Sequence, residues 1–145
     1  MKINTKYFGE MDYEDREVIN FAEGLFGFAD EHEFLLIRFD NEDGALLSLQ
    51  SVNTPNLAFV VMNPYNLMPD YDPMASEDEL NSIGIGSGSG SNFAVYVIAV
   101  VGEQVSETTV NLKAPLIVNV ENHQAIQILL DDARYSFMHS FEKKA

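Results

Sequence analysis

The stretch Leu46 to Tyr65, LLSLQSVNTPNLAFVVMNPY, constrains the fold more than any other part of the chain. It opens as an alternating strand, with Leu47 and Leu49 on one face and Ser48 and Gln50 on the other. Asn53, Thr54, Pro55 and Asn56 are turn chemistry, because proline cannot donate to a ladder and asparagine tolerates turn dihedrals. Leu57 to Met62 is an apolar run of strand length, ended by Asn63 and Pro64. The pattern predicts a hairpin with one half-buried arm and one arm apolar on both faces. The rest of the chain has to cover that second arm.

Around this hairpin the chain reads as short strands. Residues 2–7 alternate and predict a first strand closed by Gly9; residues 10–16 read as a polar connection, and Val18 to Phe21 as a short second strand. Gly24 and Gly27 bracket Leu25 and Phe26, with Phe28 following, which predicts a tight loop that throws its apolar residues inward. Phe34 to Phe39 is the next strand, and Asn41 to Gly44 ends in the Asp-Gly pair favoured in hairpin turns. Residues 64–75 hold Pro64, Pro69 and Pro73 and read as an irregular loop stiffened by proline. Ser76 to Glu79 is a capping box opening one short helix from Glu77 to Ile83, stopped by Gly84. Residues 86–91 alternate glycine and serine, the composition of an engineered flexible linker.

Phe93 to Val101 is apolar on both faces and reads as a central strand. Thr108 to Leu112 and Leu116 to Val120 follow, separated by Ala114 and Pro115, a break that demands a bulge, edge or kink. Gln124 to Leu130 alternates, residues 135–141 form a last strand or docked tail, and Glu142 to Ala145 should fray. The predicted fold is mainly β: a small closed or nearly closed antiparallel β-barrel or sandwich of about nine or ten short strands with one short helix. Residues 1–145 read as one domain. Leu49, Phe59, Val61, Val95 and Val97 are expected to share one core.

Charge is the loudest compositional signal: 23 acidic against 8 basic residues, net −15. Such a chain is repelled by nucleic acid and anionic membranes and attracted to basic proteins. There is no cysteine, so neither a disulfide framework nor a cysteine-based zinc site is available. The N-terminus has no secretory apolar segment, and the longest apolar run, Phe93 to Val101, falls far short of the roughly 20 residues that span a bilayer. The expected location is the cytoplasm.

Catalytic chemistry finds little support. His32, His123 and His139 lack metal-ligand spacing; Asp131 and Asp132 adjoin at a strand end and point to opposite faces. Asp40 to Asp43 and Asp70 to Asp72 lack the glycine and terminal glutamate of a calcium loop, and no serine sits in a nucleophile elbow. No enzyme activity, metal or cofactor is expected. Lys113, between two strands, either lays its stem over apolar neighbours or pairs a partner's carboxylate. Two readings follow from the residues: a protein-binding module using acidic patches, or a small barrel holding an apolar small-molecule ligand. The absence of a convergent polar constellation favours the first.

Three segments in order carry a resemblance: LQSVNTPNLAFVVMNPY at 49–65, FAEGLFGF at 21–28 and VNLKAPLIVN at 110–119. Together they resemble the signatures of the flagellar assembly factor FliW family. That resemblance implies a regulatory chaperone-like protein that binds newly made flagellin in the cytoplasm and antagonises the RNA-binding translational repressor CsrA. Release of flagellin by secretion would free the factor to capture CsrA and relieve repression of flagellin synthesis. CsrA must carry basic surface to bind RNA, which gives the acidic charge a use. The residues expected to meet partners are Asn63, Pro64 and Tyr65, after the LAFVVMNP strand, the acidic helix start Glu77, Asp78 and Glu79, and Lys113. The protein is expected to be a monomer.

Overall fold

The computed structural model describes residues 1–39, 46–73, 75–85, 93–103 and 107–140. Three sequence expectations lie outside these residues: the turn at Asn41 to Gly44, the glycine–serine segment 86–91 and the tail Glu142 to Ala145.

Two strands, β1 (Lys2–Thr5) and β2 (Gly9–Asp12), form a separate antiparallel hairpin. The second of these replaces the polar connection expected from the sequence. Gly9 turns the chain at φ +69°, and the ladder runs from Thr5 opposite Gly9 to Lys2 opposite Asp12. Polarity misled here because neither face of β2 is buried. A single 3₁₀ turn, Asp15–Glu17, leads into β3 (Ile19–Phe21). Then come β4 (Glu33–Arg38), β5 (Leu46–Ser51), β6 (Ala58–Met62), a 3₁₀ turn at Pro64–Asn66 and the helix α1 (Glu77–Ser82). The chain continues through β7 (Phe93–Val100), β8 (Thr109–Val110), β9 (Leu116–Asn119), β10 (Gln124–Gln127) and β11 (His139–Ser140).

Seven strands close into a barrel in the order β7-β6-β5-β4-β3-β10-β9, with β9 pairing back onto β7. All of these pairs are antiparallel except β3 with β10. The long strand β7 makes closure possible by serving two neighbours along one edge while β6 pairs along the other. Its first half, Phe93 to Tyr96, pairs with β9, while Ala99 and Val100 pair with β8, which carries β11 at the edge.

The alternation along each strand sorts the apolar residues into two cores, not the single one expected. Phe21, Phe34, Leu49, Val61, Leu116 and Val118 belong to the cluster that fills the barrel. Val95, Val97, Ile117 and Met62 project the other way, into an outer cluster roofed by Tyr71, Ile83 and Tyr135. Phe59 lies on the inner face but is only half-buried, where Phe28 meets it edge-on at 5.2 Å between ring centres.

The arms of the central hairpin also differ from expectation. β5 is buried on both faces from Ser48 to Ser51, because the β1–β2 hairpin and the following turn cover its polar side. Gln50 is fully buried: its side-chain oxygen accepts from Lys6 N at 2.9 Å, and its amide donates to Pro55 O at 3.0 Å and Leu57 O at 3.2 Å. The loop at Gly24 and Gly27 adopts the expected positive φ values of 70° and 83°. It buries only Leu25, leaving Phe26 and Phe28 exposed. Glycine at 24 is required twice over, since a Cβ there would meet the Ala29 carbonyl oxygen at 2.5 Å.

Next to this loop, Ser51 Oγ and Thr54 Oγ1 donate to the two carboxylate oxygens of Glu31 at 2.6 and 2.7 Å. These bonds hold the Glu31 carboxyl below its ordinary range. A lowered folded value means stability that is present above the unfolded value and lost as pH falls through the folded one. We expect Glu31→Gln to be less stable than the parent at neutral pH. The gap should close as pH drops below the glutamate range in parallel denaturant titrations. A gap that stays constant down to acid pH would show that the carboxylate charge contributes nothing.

Candidate functional site

The helix α1 forms as its sequence dictates. Ser76 Oγ accepts from Glu79 N at 3.1 Å, and Glu79 Oε1 accepts from Ser76 N at 2.8 Å. Glu79 is thereby committed to the cap, while Glu77 and Asp78 stand exposed and unengaged in it. The helix end is pinned to the barrel where Asn119 Nδ2 donates to Ile83 O at 2.8 Å.

Asn63 caps the 3₁₀ turn by accepting from Tyr65 N at 2.9 Å. Pro64 is buried beneath it and shapes the turn, where the sequence placed it in a semi-exposed loop. Tyr65 is 37% exposed and packs on Tyr71, which packs on Tyr135 at 4.7 Å between ring centres. Tyr71 is tied into the fold by donating to Leu112 O at 2.6 Å, and burial pushes its phenol up. Burial also raises Tyr65, with Asp72 and Tyr135 adding to it.

Lys113 sits with its ammonium 5.7 Å from the centre of the Phe137 ring. This cation–ring contact is neither of the two arrangements expected for it, a stem laid over apolar neighbours or a pairing with a partner's carboxylate. Phe137 is 53% exposed and its neighbour Met138 73%. Arg134 stacks on Tyr135 at 5.2 Å and holds Asp132 in an ion pair at 2.8 Å. The hydrogen bonds from Arg134 lower the Asp132 carboxyl below its usual range.

Contacts thus link Tyr65 through Tyr71 and Tyr135 to Arg134 and Asp132, and Lys113 to Phe137. Among the described residues, the acidic helix joins this surface through the outer apolar cluster, where Leu67, Met68 and Leu80 all pack. Sequence reading missed Tyr71, Arg134, Tyr135 and Phe137. The alternation of aromatic and polar residues at 135–141 was the signal for Tyr135 and Phe137, and it could not say which rings face out; Tyr71, in the proline loop, and Arg134 carried none.

Two other features stand apart. A hollow of about 390 Å³ on the outside of the barrel is lined by Tyr7, Phe39, Leu46, Val60 and Val101. A pit of about 260 Å³ opens at one end of the barrel, with Glu17, Tyr96 and His123 among its lining residues. Among the described residues, no group of three or more histidine, aspartate or glutamate side chains is placed to hold a metal, and no helix is long and apolar enough to cross a membrane.

Comparison with known proteins agrees over nearly the whole chain. The model of the FliW protein family matches residues 2–141. The flagellar assembly factor FliW of Caldanaerobacter subterraneus subsp. tengcongensis is 40% identical over 139 residues, covering 96% of this chain and 91% of that protein. The protein of the same name from Ruminiclostridium cellulolyticum is 38% identical, covering 96% and 93%. A crystal structure of the flagellar assembly factor FliW superposes with a TM-score of 0.90 at 32% identity, over 99% of both chains.

Proposed function

The chain belongs to the FliW family, and from that membership we propose that it is a non-enzymatic regulatory binding protein of flagellar assembly. It works in the cytoplasm, binding flagellin before export and antagonising the RNA-binding repressor CsrA when flagellin has been secreted. The observation that carries this reading is the match to flagellar assembly factors over 96% of the chain. The net charge of −15 supports it, since a repressor that binds RNA presents basic surface.

Glu77 and Asp78, exposed at the start of α1, are the acids suited to steer CsrA. Asn63, Tyr65 and Lys113 belong to the neighbouring aromatic surface, where large rings with a nearby cation suit a partner's apolar anchors. Pro64 and Glu79 act there by holding their turn and cap.

The test is titration of each partner with and without the other, at low and high salt. We expect Glu77→Lys with Asp78→Lys to slow CsrA association by about tenfold at low salt, with a smaller effect at high salt, where charges are screened beyond about 3 Å. Reversing acids at a helix start costs the fold only about 0.3–1 kcal/mol each. Flagellin and CsrA should lower each other's affinity by the same factor. Unchanged affinity of either partner while the other saturates would remove the switch. CsrA association indifferent to salt would remove the steering.

A further inference from the structure

The pit at the barrel end is built from the same residues that form the inner core. Ile19, Leu36, Tyr96 and Val118 belong to the cluster that fills the barrel, and they also line the pit. It is an opening into the inner face of the sheet, between the start of β3, the end of β4, the start of β7 and the end of β9. Ala94 adds a small side chain to the wall, which leaves the space free.

Three polar groups stand on this apolar wall. Glu17 is at the rim, where one carboxylate oxygen accepts from Glu14 N at 2.9 Å. That bond closes a capping box and fixes the direction of the side chain, leaving the second oxygen without a partner among the described residues. The Tyr96 hydroxyl likewise makes no hydrogen bond to a described residue, and burial raises its phenol. His123 lines the pit from the β9–β10 turn, held in the left-handed region at φ 60°. Its backbone is locked on both sides, N donating to Asn119 O at 2.8 Å and O accepting from Asn20 N at 2.9 Å. Its Nδ1 is shut away from solvent, behind the wall of the pit, with no partner among the described residues.

We propose that this pit binds a primary ammonium group carried on a short apolar stem, supplied by a free amine or by a lysine side chain of a docked protein. The stem packs against Ile19, Leu36, Ala94 and Val118. The ammonium donates to the free Glu17 oxygen and to the Tyr96 oxygen. An anion is disfavoured because a carboxylate stands at the rim, no lysine or arginine lines the pit and the chain carries −15. A wholly apolar ligand would dehydrate the carboxylate and phenol without pairing them. A guanidinium would leave most of its five donors facing aliphatic walls, whereas an ammonium is a compact point charge. No residue of the acidic helix lines the pit, and the proposal does not depend on CsrA or flagellin binding.

The experiment is a titration of the whole protein with n-butylammonium and with 1-butanol as its neutral isostere, following the methyl signals of Ile19, Leu36 and Val118 by NMR. A lysine capped as its N-acetyl methylamide, with and without Nε-acetylation, tests the second source. We expect saturable shifts at these methyls for the ammonium and a clearly weaker response to butanol. Glu17→Gln keeps the capping box, because glutamine also accepts there. It should weaken the ammonium by about tenfold, as loss of a charge-assisted hydrogen bond does, and leave butanol unchanged. Ala94→Leu should fill the pit and abolish both. Saturation by free amine alone assigns a small-molecule ligand, and saturation by the unacetylated lysine alone assigns a protein side chain. Equal response to butanol and butylammonium, an unaffected Glu17→Gln variant, or shifts confined to exposed acids outside the pit would each overturn the proposal.

Discussion

Phe34→Ala is expected to destabilise the protein by roughly 3–5 kcal/mol, the cost of opening a large cavity in a core that cannot collapse. Phe34 is fully buried inside the barrel and meets Phe21 edge-on at 5.6 Å between ring centres. Strands β3 and β5 flank it through ladder bonds on both sides, so the wall cannot close over the hole without breaking the ladder. Phe59→Ala provides the internal comparison. Phe59 belongs to the same cluster but is half-buried, so its loss should cost about 2 kcal/mol, near the transfer value of a partly covered aromatic side chain. Urea unfolding of both variants, with unchanged slopes, gives the comparison. An equal or larger cost for Phe59 would mean that the inner cluster is not where folding energy concentrates.

Gln50→Leu should cost roughly 2–4 kcal/mol although the replacement is apolar and of similar size, because it orphans buried polar groups at about 1–3 kcal/mol each. The Gln50 side chain is the tie between three segments. It receives Lys6 N from the end of the β1–β2 hairpin, and it satisfies the carbonyls of Pro55 and Leu57 in the turn between β5 and β6. Leucine would leave the Lys6 N–H and the Pro55 carbonyl facing apolar atoms. Hydrogen exchange should report the same event locally, with faster exchange of Lys6 N–H than global unfolding allows. A cost below about 1 kcal/mol would place water at these groups and remove Gln50 as the tie.

Both predictions touch positions that sequence reading placed only in part. Alternation put Leu47 and Leu49 on one face and Ser48 and Gln50 on the other, and that is how β5 is built. What alternation could not tell is whether the polar face meets water. It is buried here because a hairpin more than 40 residues away in sequence folds over it, |i−j| being 44 for the Lys6 to Gln50 bond. The same limit explains β2. Its residues GEMD look like a loop by composition, and they form a strand because Gly9 turns them onto β1.

The candidate surfaces divide in the same way. The capping box at Ser76 and Glu79 and the turn at Asn63 were legible because each is closed within a few residues by local hydrogen bonds. Pro64 looked like part of an exposed loop and proved to be buried, since only packing decides which side of a turn faces in. The pairing of Lys113 with Phe137, the stack of Tyr65, Tyr71 and Tyr135, and the meeting of Glu17, Tyr96 and His123 join residues far apart in the chain. Local pattern by itself set most of the strand identities, β2 excepted, the helix, its cap and the acidic charge, because propensity, periodicity and composition act over a few residues. Closure of seven strands, the split of apolar residues between an inner and an outer core, and every surface made of distant residues were decided only when β9 paired back onto β7. That pairing depends on register between strands, which no short window of sequence contains.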